Sequence, residues 1–255
     1  MELEIGTTKL NFFHILTDVA KPTIIFLHDS LGCIELWRDF PQKIGTQTQC
    51  NVLVYDRHGY GKSSAFDSEK RTIDYLEKEA DVLNSIIEKF KINQAIFLGH
   101  SDGGSIAIIA ASKYPEKTKG IITEGAHVFV EDITLSGIRE AKEAYQKTNL
   151  KHKLTKYHGD KVEALFNAWT ETWLSQEYKD WNIEKFLPTI YCPVLVIQGE
   201  KDEYGSKEQV NSIIYHVKGV SEKYEVPNVG HTPHKESEVL TLSKCAAFIK
   251  RINSD

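Results

Sequence analysis

The 255-residue sequence predicts a doubly wound α/β domain, and three observations point to it. Short runs of Ile, Val and Leu recur along the chain, each ending in a polar or glycine-rich turn. Helical periods lie between them. The runs are continuously apolar rather than alternating, as expected for strands buried on both faces of a parallel sheet. Strands that alternate with helices build that layered arrangement.

The elements follow in order. Residues 2–5 and 10–16 read as a leading hairpin of edge strands. The buried strands are TIIFL (23–27), VLVY (52–55), AIFL (95–98), GIIT (120–123) and VLVI (194–197), with KYEVPNV (223–229) as the last strand. TIDYLEKEADVLNSIIEKF places Ile73, Leu76, Ala80, Leu83, Ile86 and Ile87 on one helical face. SIAIIAASKY is a second helix and stops before Pro115. From residue 132 to 187 the strand rhythm ceases. Val162, Leu165, Phe166, Trp169 and Trp173 recur there at helical steps and form one apolar face. The expected organisation is a core of residues 1–131 and 188–255 with a small helical cap, 132–187, inserted into it.

Composition narrows the function classes. The net charge is −5 and no basic block occurs, so nucleic acid is not expected as a partner. The apolar runs are strand-sized, short of the roughly 20 residues that span a bilayer, so no membrane association is expected. MELEIGTTKL lacks the basic and apolar regions of a signal peptide. Cys33, Cys50, Cys192 and Cys245 are far apart, which suits free thiols in a reducing cytoplasm. His231 and His234 have no HExxH context and no third clustered ligand, so no metal is expected. The GKS of GYGKSS fails as a phosphate loop, because Asp56 stands where the pattern needs glycine. Asp56 and Arg57 read instead as a structural ion pair at a strand end. No cofactor is implied, and nothing in the sequence sets an oligomeric state.

The chemistry concentrates in LGHSDGG, residues 98–104. Gly99, Ser101 and Gly103 match G-x-S-x-G between a strand and a helix, the pattern of a nucleophile elbow. Only small neighbours let a serine sit at the apex of so sharp a turn. The bland alternative is a tight turn with an N-capping serine. A serine nucleophile needs a base and a group that orients the base. Asp202 follows the strand VLVIQG and His231 follows KYEVPNV, in the chain order Ser, acid, His. Glu200 and Glu203 rival Asp202 as the acid, with Glu124 a more distant rival, and His234, further from the strand end, rivals His231 as the base. The backbone N–H groups of Ser30 and Asp102 are the expected oxyanion donors, each worth about 3–4 kcal/mol. His28 and Asp29 read as turn formers with a packed imidazole. The Asp102 carboxylate could pair with a substrate ammonium or serve the helix dipole. Trp37, Phe166, Trp169 and Trp173 are candidates for the substrate pocket.

Together HDSLG, YDRHGYGKS, GHSDGG, QGEKD and the GH at 230–231 resemble the α/β-hydrolase superfamily over nearly the whole chain. GHSDGG, AASKYPEK, CPVLVIQGEKD and VKG are similar to the valacyclovirase (biphenyl hydrolase-like) enzymes. That resemblance implies Ser101, Asp202 and His231 as nucleophile, acid and base. It also implies amino-acid esters as substrates, with Asp102 binding the α-amino group. One departure is His28-Asp29, where the superfamily commonly has His-Gly. The expected function is therefore hydrolysis of a small-molecule ester through an acyl-enzyme. C–C bond or lactone hydrolysis on the same three residues, and ligand binding without catalysis, are the alternatives.

Overall fold

The computed structural model describes residues 1–66 and 71–254. Its strands are β1 (Glu2–Ile5), β2 (Thr8–Ile15), β3 (Thr23–Leu27), β4 (Asn51–Tyr55), β5 (Ala95–His100), β6 (Thr118–Glu124), β7 (Val194–Gly199) and β8 (Ser221–Val226). They form one eight-stranded sheet in the order β1-β2-β4-β3-β5-β6-β7-β8. The hairpin β1–β2 runs antiparallel and all pairs from β4 to β8 are parallel. The long helices are α1 (Phe40–Thr48), α2 (Tyr75–Lys89), α3 (Asp102–Lys113), α4 (Asp132–Lys147), α5 (Leu150–His158), α6 (Val162–Trp173) and α7 (Lys207–His216), followed by the short α8 (Pro233–Glu236) and then α9 (Glu238–Ser254).

Alternate strand residues feed two cores. Ile25, Leu27, Phe97, Ile121 and Val196 join α2, α3 and the α4–α6 segment on one face. Ile24, Phe26, Ile96, Leu98, Ile122 and Ile197 join α1 and α9 on the other. This two-sided burial is why the strands read as continuous apolar runs. Ten consecutive residues of α3, Asp102 to Ala111, are buried. That accounts for a sequence there without an amphipathic stripe.

Two expectations change. Ile73 is 52% exposed and precedes α2, which starts two residues later. The other five positions of that face are buried. Asp56 and Arg57 do not pair with each other. Asp56 accepts from Ile34 N (2.7 Å), Lys62 N (2.8 Å) and Asn11 Nδ2 (2.8 Å), while Arg57 turns to Glu79 and Asp102. Adjacent residues leaving a strand point to opposite sides, so one faces the loop and the other the interior.

β3 lies between β4 and β5: the chain passes from β3 to β4 on one side and then crosses back to β5 on the other. That reversal opens a crevice at the carboxyl ends of β3 and β5, where open α/β sheets place their ligands.

Candidate active site

Ser101 joins β5 to α3 with φ 53° and ψ −119°. Such a conformation costs a non-glycine residue about 1–3 kcal/mol and persists only where its surroundings hold it. Here Ser101 N–H donates to Glu124 O at 2.8 Å, and Ser101 O accepts from Gly104 N at 2.8 Å. The hydroxyl forms no capping bond to α3. The turn is pressed against the sheet. A Cβ on Gly103 would lie 1.9 Å from Leu27 O, and one on Gly99 would lie 2.1 Å from Gly103 O. Both contacts are to backbone and cannot be relieved by a rotamer change. Gly103→Ala is therefore expected to destabilise the fold by at least about 2 kcal/mol, from overpacking alone. Urea denaturation measures this, and an unchanged midpoint would contradict it.

Asp202 and His231 meet on the loops after β7 and β8. His231 Nδ1 lies 2.8 Å from Asp202 Oδ1 and 3.0 Å from Oδ2. Asp202 Oδ1 also accepts from Tyr204 N (2.9 Å) and Gly205 N (3.2 Å), and Oδ2 from Gln198 Nε2 (2.7 Å). Burial works to raise the Asp202 pKa, but the His231 charge and these donors hold it below the usual carboxylate value. Burial likewise works to lower the His231 pKa, and Asp202, Glu203 and Asp29 raise it above 6.5. The imidazole is thus anchored through Nδ1, which leaves Nε2 free to exchange a proton.

The rivals have other partners. Glu200 accepts from Asn228 N at 2.8 Å, and Glu203 from His231 N at 3.2 Å. Glu124 and His234 form a second buried acid–imidazole pair at 2.5 Å. The His234 ring lies 4.4 Å from Trp37, on the α1 side of the sheet.

The loop after β3 is fixed through one carbonyl. Asp29 O accepts from His28 Nδ1 (2.8 Å), Arg57 Nη2 (3.0 Å) and Gly32 N (3.3 Å). His28 Nε2 accepts from Arg57 N at 3.0 Å, so Nδ1 carries the proton. Burial is the main cause that pushes the His28 pKa well below its ordinary value. The 29–30 peptide is trans, so the Ser30 N–H points opposite to the Asp29 carbonyl, and Ser30 lines the site cavity. Neither the Ser30 N–H nor the Asp102 N–H has an acceptor among the described residues. Asp29 needs no positive φ, which is how a residue with a side chain fits where glycine is common.

A cavity of about 190 Å³ brings these groups together. Its lining includes Asp29, Ser30, Ser101, Asp102, Glu203 and His231, with Trp169 and Trp173 from α6 on its apolar side. Trp37 and Phe166 lie elsewhere. Trp37 packs on Phe26 and His234, and Phe166 stacks on Tyr145 at 3.8 Å. The α6 face is wider than the cavity, so only its last turns reach the site. Asp102 lines the cavity, but its Oδ2 accepts from Tyr75 OH at 3.1 Å and lies 3.5 Å from Arg57 Nη2. Sequence reasoning missed His127, Thr134, Ile138 and Tyr204 in the lining. His127 follows β6 as His231 follows β8, and that strand-end position was the available signal. No group of acids, histidines and cysteines among the described residues is arranged to hold a metal ion.

Known proteins are similar in sequence and shape. "Serine hydrolase BPHL" from Homo sapiens is 31% identical over 197 residues, covering 72% of this chain and 64% of that protein. This chain thus spans less than two thirds of that relative. A 2-hydroxy-6-oxononadienedioate/2-hydroxy-6-oxononatrienedioate hydrolase from Klebsiella pneumoniae is 26% identical, covering 72% of each chain. A structure from work on carboxylesterases of the thaumarchaeon Nitrososphaera gargenis superposes with a TM-score of 0.80 over the whole of both chains at 17% identity. Residues 22–183, which carry the β3 loop, the elbow and α4–α6, match the family model of the alpha/beta hydrolase fold, and the chain belongs to that family.

Proposed function

We propose that this chain hydrolyses small carboxylic esters through an acyl-enzyme on Ser101. The observation that carries the reading is the convergence of Ser101 and the Asp202-anchored His231 on one cavity at the carboxyl edge of the sheet. In this reading His231 Nε2 takes the Ser101 proton as Oγ attacks the ester carbonyl. The Ser30 and Asp102 N–H groups stabilise the oxyanion, and His231 then protonates the leaving alkoxide. Water, activated by the same imidazole, releases the acid and restores Ser101. Residues 132–187 serve as the cap, with Trp169 and Trp173 against the acyl or alkyl group. The cavity volume favours small substrates. Among the described residues its lining holds Asp29, Asp102 and Glu203 and no lysine or arginine, which disfavours carboxylate-bearing substrates such as the dioates named for the Klebsiella relative.

Labelling with a fluorophosphonate tests the nucleophile. Ser101 is expected to carry the adduct, and ester turnover is expected to yield acid and alcohol in equal amounts. An unlabelled, inert protein would favour ligand binding on a hydrolase scaffold, and turnover of lactones or diketones but not esters would favour the rival chemistry. Phenylalanine ethyl ester and ethyl 3-phenylpropionate test the amino-ester reading. Because Arg57 already faces the Asp102 carboxylate, a preference for the amino ester below tenfold in kcat/KM is expected, under about 1.4 kcal/mol. A larger preference would assign Asp102 to a substrate ammonium.

The charge on Glu203 helps to raise the His231 pKa. Activity needs neutral His231, so kcat/KM should fall as pH drops through a value above 6.5. Glu203→Gln is expected to move that acid limb to lower pH. A pH–rate profile checks it, and an unmoved limb would remove Glu203 from the electrostatics of the base.

A further inference from the structure

Arg57 is a fully buried cation beside the site, with a side chain 0% exposed. Its Nη2 lies 3.0 Å from Asp29 O and 3.5 Å from Asp102 Oδ2. Those two residues flank the proposed oxyanion position. The Asp29 carbonyl belongs to the peptide whose N–H is Ser30's, and Asp102 supplies the other N–H. The guanidinium is seated over the Tyr60 ring at 4.7 Å, and its own backbone N–H is held by His28. Glu79 is a further acid beside it, with Oε1 3.9 Å from Nη1.

As a device for stability alone this arrangement is poor. Among the described residues Nε and Nη1 are buried without a hydrogen-bond partner, and an unmet buried donor costs stability. No carboxylate among the described residues receives the two-pronged contact that makes buried arginine pairs strong. One amine instead spans a carbonyl and a carboxylate on the two loops that meet at Ser101.

Electrostatics gives that placement a use. A carboxylate on the residue that offers an oxyanion N–H repels the negative charge formed during acyl transfer. Tyr75 OH donates to Asp102 and accepts from Trp173 Nε1 at 3.1 Å, but these neutral contacts leave the charge in place. Arg57 balances it from the side of the loop away from the cavity. We infer that Arg57 is a positioning residue for the oxyanion hole. It draws the 29–30 carbonyl inward so that the Ser30 N–H faces the cavity, and it neutralises Asp102 so that the second donor is not opposed. This rests on the ester-hydrolase reading above.

The test uses Arg57→Lys and Arg57→Ala in the full chain. For each, kcat and KM are measured on p-nitrophenyl propionate, together with the affinity for a trifluoromethyl ketone that forms a tetrahedral adduct with Ser101. Lysine keeps a charge but cannot span both acceptors. Arg57→Lys is expected to lose about 10²-fold in kcat with KM changed by less than about threefold, and the ketone should weaken by a similar factor. Arg57→Ala is expected to lose more, and added methylguanidinium should restore at least tenfold of it. A fall in melting temperature with kcat and ketone affinity held would make Arg57 a structural cation only and overturn the inference. So would a rise in KM at constant kcat. If Arg57→Ala does not fold, Arg57→Lys decides alone. A wild-type protein inert to both the ester and a fluorophosphonate overturns the hydrolase reading and this inference together. An active wild type matched by Arg57→Lys overturns only this one.

Discussion

Ser101→Ala is expected to lower kcat for ester hydrolysis by about 10⁶-fold, or about 8 kcal/mol of barrier. The remaining rate would come from the cavity and the proposed oxyanion donors, which the substitution leaves in place. The fold should tolerate the change. Alanine meets the same positive-φ strain as serine, the backbone bonds to Glu124 O and Gly104 N persist, and no capping bond is lost. Kinetics on purified variant with its melting temperature separates loss of chemistry from loss of structure. A variant within tenfold of wild type would show that Ser101 is not the nucleophile.

Asp202→Asn is expected to cost about 10⁴-fold in kcat with KM little changed. The reason is the direction of the hydrogen bonds. Every group around Asp202 donates to it: Tyr204 N and Gly205 N at Oδ1, Gln198 Nε2 at Oδ2, and His231 Nδ1 at both. Gln198 Nε2 is also committed to Gly205 O at 2.9 Å, which fixes its orientation. An asparagine would keep its oxygen on the two backbone N–H groups and turn its NH₂ toward Gln198 and His231. His231 would then accept at Nδ1 and carry its proton on Nε2, the tautomer that cannot take a proton from Ser101. The pH profile should change in a defined direction. Loss of the Asp202 charge leaves burial as the stronger influence on His231, so the acid limb of kcat/KM moves down while the plateau falls. A full plateau with an unmoved limb would remove Asp202 from the reaction.

Much of the fold was legible because its causes are local. A strand buried on both faces has to be apolar at successive positions, and Ile24 to Leu27 shows it. The elbow was legible because glycine at 99 and 103 is required wherever backbone lies about 2 Å from a would-be Cβ. Ile73 misled because a periodic pattern marks a helical face but not the residue at which the helix begins. Arg57 misled because sequence adjacency to Asp56 suggested a pair that strand geometry forbids.

The sequence by itself determined the layered α/β class, the strained serine, and the strand ends that carry Asp202 and His231. It also limited the acid to a few candidates. Only the tertiary structure decided which acid meets which histidine. Asp202–His231 lines the cavity, and Glu124–His234 is buried against Trp37 on the far side of the sheet. It also turned Asp102 toward Arg57 and left Trp37 and Phe166 outside the cavity. The physical reason is range. Burial and backbone strain act on neighbours in the chain, whereas these pairings join residues 29 to 110 positions apart and follow from strand order and register.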